Sequence, residues 1–119
     1  MTEQDKQLLL KDLCARLPYK VNIQVKDWAT LDTELETGHI NRFQNDDLEL
    51  KPYLRPMSSM TEEEEDEYMI ARQKDIAEAQ IHLTPQNAID WLNAHHFDYR
   101  GLIEKGLALE APAGMYKIN

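Results

Sequence analysis

Cysteine, basic residues and long apolar runs are all scarce in this sequence. Its single cysteine, Cys14, has no second cysteine with which to form an intramolecular disulfide, so a disulfide-stabilised secreted scaffold is excluded. No uninterrupted apolar run exceeds four residues, whereas a membrane-spanning helix needs roughly 20. The chain also does not open with the cationic and then apolar segments of a signal peptide. These absences predict a cytoplasmic protein that does not associate with membranes.

Motifs of the common catalytic and cofactor sites are missing as well. The chain has no phosphate-binding glycine loop, dinucleotide fingerprint, nucleophile elbow, HExxH sequence or paired CxxC sequence. We therefore expect no catalytic residue and no cofactor, and we predict that the protein is not an enzyme.

Acidic residues outnumber basic ones, with 22 Asp and Glu compared with 13 Lys and Arg and a formal net charge of −9. Binding to a phosphate backbone needs clustered Lys and Arg that displace counterions. Direct binding to nucleic acid is therefore not expected, and the predicted partner is a protein with a basic surface.

The length and composition suit one small domain, since 42% of the 119 residues are hydrophobic. We predict a single domain of the α+β class over residues 1–119. Residues 1–60 are expected to form a helix and a small three-stranded antiparallel meander. Residues 61–119 are expected to form two or three helices and an extended tail.

The first half of the chain changes from a helical pattern to a strand pattern. Residues 4–17 have apolar side chains at helical spacing, with Cys14 on the apolar face and Asp12 and Arg16 mostly on the other. Gly38 is interpreted as the end of a strand or the site of a bulge. Three later segments have the alternation of half-buried strands: residues 20–26, 31–37 and 48–51.

The second half is predicted to be mainly helical after an irregular, proline-containing link over residues 52–60. Thr61 and Glu64 have the spacing of a capping box, and Thr84 precedes a proline that suits a first helical position. Gly106 is placed for a left-handed helix end. Helices are predicted over residues 62–79, 85–96 and 98–105.

The acidic residues are concentrated in two segments. Residues 27–50 contain seven acidic residues and one basic residue, and residues 61–80 contain eight and two. Solvated helix and strand faces would produce the same counts, and an acidic binding face is the alternative. The candidate partner-binding residues are three carboxylates at period-2 spacing and two aromatic residues outside the predicted helices: Asp32, Glu34, Glu36, Trp28 and Tyr53.

A second candidate site lies near the end of the predicted helix over residues 85–96. His95 and His96 point about 100° apart on a helix, which makes it difficult for both to bind one metal ion. Asp98 would supply a further ligand. A small metal-binding protein or enzyme that uses these residues is therefore an alternative to the ordinary arrangement of one buried and one exposed histidine.

Three sequence blocks carry a resemblance to a protein family: LLLKDLCARLPY at residues 8–19, KPYLRPMSSMTEEE at 51–64 and DWLNAHHFDYRGL at 90–102. They resemble an uncharacterised family of small acidic proteins encoded by gut anaerobic bacteria and their phages. The resemblance supplies no activity, cofactor or catalytic residue. It implies a common scaffold with a variable sheet region, which makes residues 27–50 the expected partner-facing surface.

We therefore predict a protein-interaction module, of phage or mobile-element origin, that binds a protein through its acidic sheet face. A DNA mimic or nucleic-acid-linked regulator is the alternative. Alternate carboxylates on one strand face lie about 6–7 Å apart, which is close to the spacing of phosphates along a nucleic-acid strand.

Overall fold

Four α-helices and four strands form the part of the chain that the computed structural model describes, residues 1–116. The helices are α1 (Glu3–Arg16), α2 (Thr37–Gln44), α3 (Glu62–Gln80) and α4 (Asn87–Ala94). The strands are β1 (Asn22–Lys26), β2 (Thr30–Glu34), β3 (Glu49–Leu54) and β4 (Leu109–Glu110). The predicted α+β class is therefore confirmed. None of these helices combines the length and the apolar character needed to cross a bilayer.

Helix α1 buries one face that contains both apolar and charged residues. Leu9 and Leu13 are fully buried, as the helical spacing predicts. Asp12 and Arg16 are fully buried too, because steps of three and four residues place them on the same face as the leucines. Cys14 is exposed. The predicted placement of Asp12, Arg16 and Cys14 is therefore wrong.

The sheet has the order β2-β1-β3-β4. Strand β1 is antiparallel to both β2 and β3, and β4 is parallel to β3. The three-stranded meander is therefore wrong, since β3 lies beside β1 rather than beside β2. Helix α2 accounts for the difference: it buries Ile40 and Phe43 at helical spacing and connects β2 to β3 past the intervening β1. Gly38, interpreted as a strand end, lies in the first turn of α2.

Strand β3 continues into the segment that was predicted to be an irregular link. Pro52 lies opposite Ile23 of β1. Antiparallel pairing uses the backbone groups of alternate residues, and at this position the proline nitrogen points away from β1. The missing N–H therefore removes no bond from the ladder between β1 and β3.

Tyr116 enters the sheet at the place where β1 and β3 separate. Its hydroxyl accepts a hydrogen bond from the Asn22 backbone N and donates one to the Tyr53 carbonyl oxygen, each at 2.8 Å. Asn22 and Tyr53 would be the next pair in the register, but the ladder ends at Ile23 and Pro52. Burial raises the pKa of the Tyr116 hydroxyl to about 12, so it remains a donor at neutral pH.

Two of the three helices predicted in the second half are present, and the third is replaced by turns. Helix α3 begins at the predicted capping box, whereas α4 begins after Gln86 rather than after Thr84. Residues 98–105 form turns instead of the predicted helix, because Gly101 has a left-handed φ of 72° that no helix contains. Gly106 has the expected left-handed conformation, with a φ of 74°.

The tail lies along the sheet, where it forms β4. Just after β4, the Ala111 backbone N donates a hydrogen bond to the Leu54 carbonyl oxygen at 2.8 Å. Residues 117–119 of the predicted tail lie outside the described residues.

The hydrophobic core fills the space between α1, α2 and the inner face of the sheet. Its members include Leu9, Leu13, Val21, Ile23, Val25, Ile40, Phe43, Leu50, Leu54 and Leu102.

We expect Tyr116→Phe to lower the free energy of unfolding by about 1–3 kcal/mol, because it leaves the Asn22 amide and the Tyr53 carbonyl without their partner. Urea denaturation measures the change. Tyr68→Phe is the matched control, since it removes a hydroxyl from a half-buried tyrosine of α3. Equal losses in the two variants would contradict the bridging role of Tyr116.

Candidate functional site

A buried ion pair joins the end of the sheet to the start of α3. Arg55 follows β3 and contacts both carboxylate oxygens of Glu64 at 2.7 Å. The Arg55 guanidinium also lies over the Phe97 ring, 4.1 Å from its centroid. Glu64 additionally accepts a hydrogen bond from the Thr61 backbone N at 3.0 Å, as the capping box requires. One carboxylate therefore caps α3 and holds that helix against the sheet.

The surroundings of Glu64 strongly favour its ionised form. Its hydrogen bonds with Arg55 lower the pKa of the carboxyl group to about 2 from an ordinary 4.5, although burial opposes the shift. The acidic segment over residues 61–80 was interpreted as a solvated helix face or an acidic binding face. Glu64 fits neither interpretation, because it is buried and paired with Arg55.

A cleft of about 500 Å³ opens beside this ion pair. It lies between the first turns of α3, the adjacent ends of β1 and β2, and the turn that follows α4. We call it the acidic cleft. It is lined by Lys20, Asn22, Glu34, Arg55, Thr61, Glu63, Glu64, Glu67, Ala94, His95, His96, Met115 and Tyr116.

The charge of the acidic cleft comes from both acidic segments of the sequence. Glu34 belongs to the first segment, and Glu63 and Glu67 belong to the second. These three carboxylates take part in none of the ion pairs found within residues 1–116. Lys20 is the opposing charge at the rim, because Arg55 is already neutralised by Glu64.

His95 is held in one orientation in the wall of the acidic cleft. Its Nδ1 lies 2.8 Å from the Trp91 carbonyl oxygen, and a carbonyl only accepts, so Nδ1 carries the proton in this contact. The imidazole stacks on the Trp91 ring with a centroid separation of 4.0 Å. In the neutral ring, Nε2 is therefore the acceptor nitrogen.

His96 is a half-buried histidine in a left-handed backbone conformation, with a φ of 65°. Its ring stacks on Tyr116 with centroids 3.9 Å apart. Its Nδ1 is buried and has no hydrogen-bond partner among the described residues. Burial, followed by the positive charge of Arg16, lowers the pKa of His96 to about 4. His96 is consequently neutral near pH 7.

The structure does not assemble the alternative metal site of His95, His96 and Asp98. The Asp98 carboxylate accepts hydrogen bonds from the backbone N of Leu102 and Ile103, at 2.9 and 3.0 Å. Within residues 1–116, no three His, Cys, Asp or Glu side chains are grouped so that they could hold a metal ion. Asp98 instead orders the turn that was predicted to be a helix.

Two of the predicted carboxylates, Asp32 and Glu34, lie on the outer face of β2. Their register partners Gln24 and Asn22 share that face. Lys26 and Lys51 lie there as well, so the outer sheet face has mixed charge. It becomes acidic only towards Glu34, where it meets the acidic cleft.

The remaining partner-binding candidates occupy different environments. Trp28 lies in the turn between β1 and β2 and is 95% exposed. Tyr53 is buried, and its hydroxyl donates to Asp32 Oδ1 at 2.7 Å, so its ring packs within the fold. Glu36 lies beyond β2 and precedes α2, where its backbone N donates to His39 Nδ1. Glu36 therefore does not extend the row of carboxylates on the strand.

The buried charges that join α1 to the segment after α4 were not predicted from the sequence. Asp12 binds Arg16 at 2.8 Å and Arg100 at 3.0 Å, and Arg16 also donates to the Phe97 carbonyl oxygen at 2.7 Å. The spacing of Asp12 and Arg16 with the buried leucines of α1 was an available signal. No comparable local signal pairs Arg55 with Glu64, because the two residues belong to different elements.

No family model, curated protein or solved structure matches this chain. The function therefore has to be inferred from the geometry and charge of the site itself.

We expect the free energy of unfolding to fall by about 3 kcal/mol as the pH decreases from about 4.5 to about 2, because Glu64 is stabilised in its ionised form. Glu64→Gln should be less stable at neutral pH and should lack this part of the acid dependence. Denaturation curves across this pH range measure both effects. Glu65→Gln, an exposed neighbour on α3, is the control and should keep the wild-type pH profile.

His96 should produce a separate loss of stability as the pH falls from about 6.5 to about 4. Its pKa of about 4 lies below the ordinary 6.5, so the unfolded chain binds a proton that the folded chain excludes, and stability decreases as the pH falls through this interval. His96→Asn removes the titrating group and should therefore reduce this decrease in stability. Asparagine is the replacement because it tolerates a left-handed backbone. His82→Asn is the control, because His82 is exposed and has a similar φ of 64°. The same change in both variants would contradict the assignment to His96.

Proposed function

We propose that this protein is an interaction module that binds a protein partner with a basic surface, and that the acidic cleft is its binding site. The observation that carries the proposal is the meeting of the two acidic segments at one concave surface. Glu34 comes from the end of β2, whereas Glu63 and Glu67 come from the first turns of α3. A cleft that contains carboxylates from two distant segments concentrates negative potential more strongly than either segment alone.

The internal hydrogen bonds of the cleft favour a basic ligand over an acidic one. Arg55 is a buried cation at the cleft, and its charge is already neutralised by two hydrogen bonds to Glu64. The neighbouring His96 is neutral near pH 7, so it adds no positive charge. A Lys or Arg side chain that entered the cleft would approach the carboxylates of Glu34, Glu63 and Glu67, and within residues 1–116 the opposing charge in the lining is Lys20.

The wall of the cleft also suits a cationic side chain. Tyr116 and His96 form one stacked pair of rings in the lining, and aromatic faces attract Lys and Arg cations. DNA mimicry has no comparable support, because Glu36 lies outside β2 and does not extend the row of Asp32 and Glu34. Lys26 and Lys51 also share the outer sheet face with these carboxylates. A protein partner with exposed Lys and Arg residues is therefore the proposed ligand.

Charge reversal at the cleft tests the proposal. The probe is a short labelled peptide rich in Lys and Arg, measured by fluorescence anisotropy at increasing salt. The test variant replaces three cleft residues with Lys: Glu34, Glu63 and Glu67. The control variant replaces three exposed acidic residues elsewhere with Lys: Asp90, Glu104 and Glu110.

We expect salt-sensitive binding to the wild-type protein and a loss of at least about tenfold in affinity for the cleft variant. The control variant has the same net charge, so it should retain most of the affinity. Equal losses in the two variants would show that only overall charge matters. That result, or no loss in either variant, would overturn the assignment to the acidic cleft.

A further inference from the structure

The outer edge of β2 is an open sheet edge within the described residues. Strand β2 pairs with β1 on one side only. The Leu35 backbone N donates to the Val21 carbonyl oxygen, and the antiparallel register continues from this pair. Because backbone direction alternates along a strand, Leu31 and Thr33 also bond towards β1. The other residues of the strand alternate with these and are Thr30, Asp32 and Glu34. Their N–H and C=O groups therefore point outwards, away from β1.

The two sides of this edge have different chemistry. The Asp32 and Glu34 side chains lie on the outer face of the sheet, and both are exposed. Leu31 lies on the inner face beside the buried Val25, yet 62% of Leu31 is exposed. Trp28, in the turn next to the strand, is almost fully exposed. An added strand would meet carboxylates on one face and apolar surface on the other.

We propose that the open edge of β2 binds an extended segment of the partner in which Lys or Arg alternates with apolar residues. This inference builds on the proposed function, since Glu34 belongs both to the strand edge and to the acidic cleft. The segment continues the sheet through backbone hydrogen bonds, which is a known mode of peptide recognition. Its basic side chains lie opposite Asp32 and Glu34, and its apolar side chains cover Leu31.

Charge argues against a second copy of this chain as the occupant. If two β2 strands paired antiparallel over their full length through their open edges, Asp32 would lie directly opposite Asp32 of the other copy, on the same sheet face. Like charges in directly opposed positions destabilise strand pairing. A strand with basic residues at these positions replaces that repulsion with attraction.

The test uses a peptide of alternating Lys and Val and two backbone-methylated forms of it. In an antiparallel pair, a residue whose backbone groups point at the neighbouring strand exchanges both hydrogen bonds with the residue directly opposite, and the two side chains share a face. The residues opposite Asp32 and Glu34 are the lysines, so their amides point towards β2. Methylation of the lysine amide nitrogens should weaken binding by at least about tenfold, because it removes these hydrogen bonds. Methylation of the valine amides, which point to solvent, should leave the affinity within about twofold.

Hydrogen exchange measured by NMR provides an independent readout that requires no change to the protein. Peptide binding should slow the exchange of the Thr30, Asp32 and Glu34 amides. The Leu31 and Thr33 amides, already bonded to β1, should change little. Binding without protection at the three outward amides would overturn strand addition.

The two proposals fail in different ways. The separating variant reverses the charge of Glu63 and Glu67 only, since both line the cleft and neither belongs to β2. If methylation of neither set weakens binding but this variant does, strand addition is wrong and the acidic cleft stands. If lysine-amide methylation abolishes binding but this variant binds as the wild type does, strand addition stands and the acidic cleft is wrong.

Discussion

Arg55 and Glu64 form the contact on which the arrangement of the two halves depends. Both side chains are almost completely buried, and two hydrogen bonds of 2.7 Å join them. A buried charge that loses its partner is strongly destabilising, so the pair determines where the end of β3 meets the start of α3. Arg55 also packs over Phe97, which follows α4. The end of β3, the start of α3 and the segment after α4 are thereby held together, and the acidic cleft opens beside them.

The shape and charge of the acidic cleft follow from this arrangement. Helix α3 buries only Glu64 and Ala71 among its 19 residues, so most carboxylates of its first turns remain exposed. Because Glu64 is neutralised internally, Glu63 and Glu67 supply the charge that faces the cleft from the helix. Glu34 supplies it from the sheet. The same residue ends the open edge of β2, so the cleft and the proposed strand site form one continuous surface.

Local patterns in the sequence were good predictors of individual elements and poor predictors of their partners. The apolar spacing of α1 and the capping box of α3 identified both helices, because these signals depend on neighbours within one turn. Asp32 and Glu34 were correctly placed on one strand face. Tyr53 was assigned to an irregular link, whereas it belongs to β3 and its hydroxyl bonds to Asp32 of β2, a contact that strand alternation does not reveal.

The sequence by itself determined the local features of this protein: its acidity, helices α1 and α3, the alternating strands and the left-handed turn at Gly106. Each depends on side-chain chemistry within a few residues. Only the tertiary structure decided the strand order, the insertion of the Tyr116 hydroxyl between β1 and β3, and the meeting of the two acidic segments. These features depend on contacts between distant segments, such as the 2.8 Å bond from Asn22 to Tyr116. A distant partner is selected by the packing of the whole chain, which no short-range periodicity encodes.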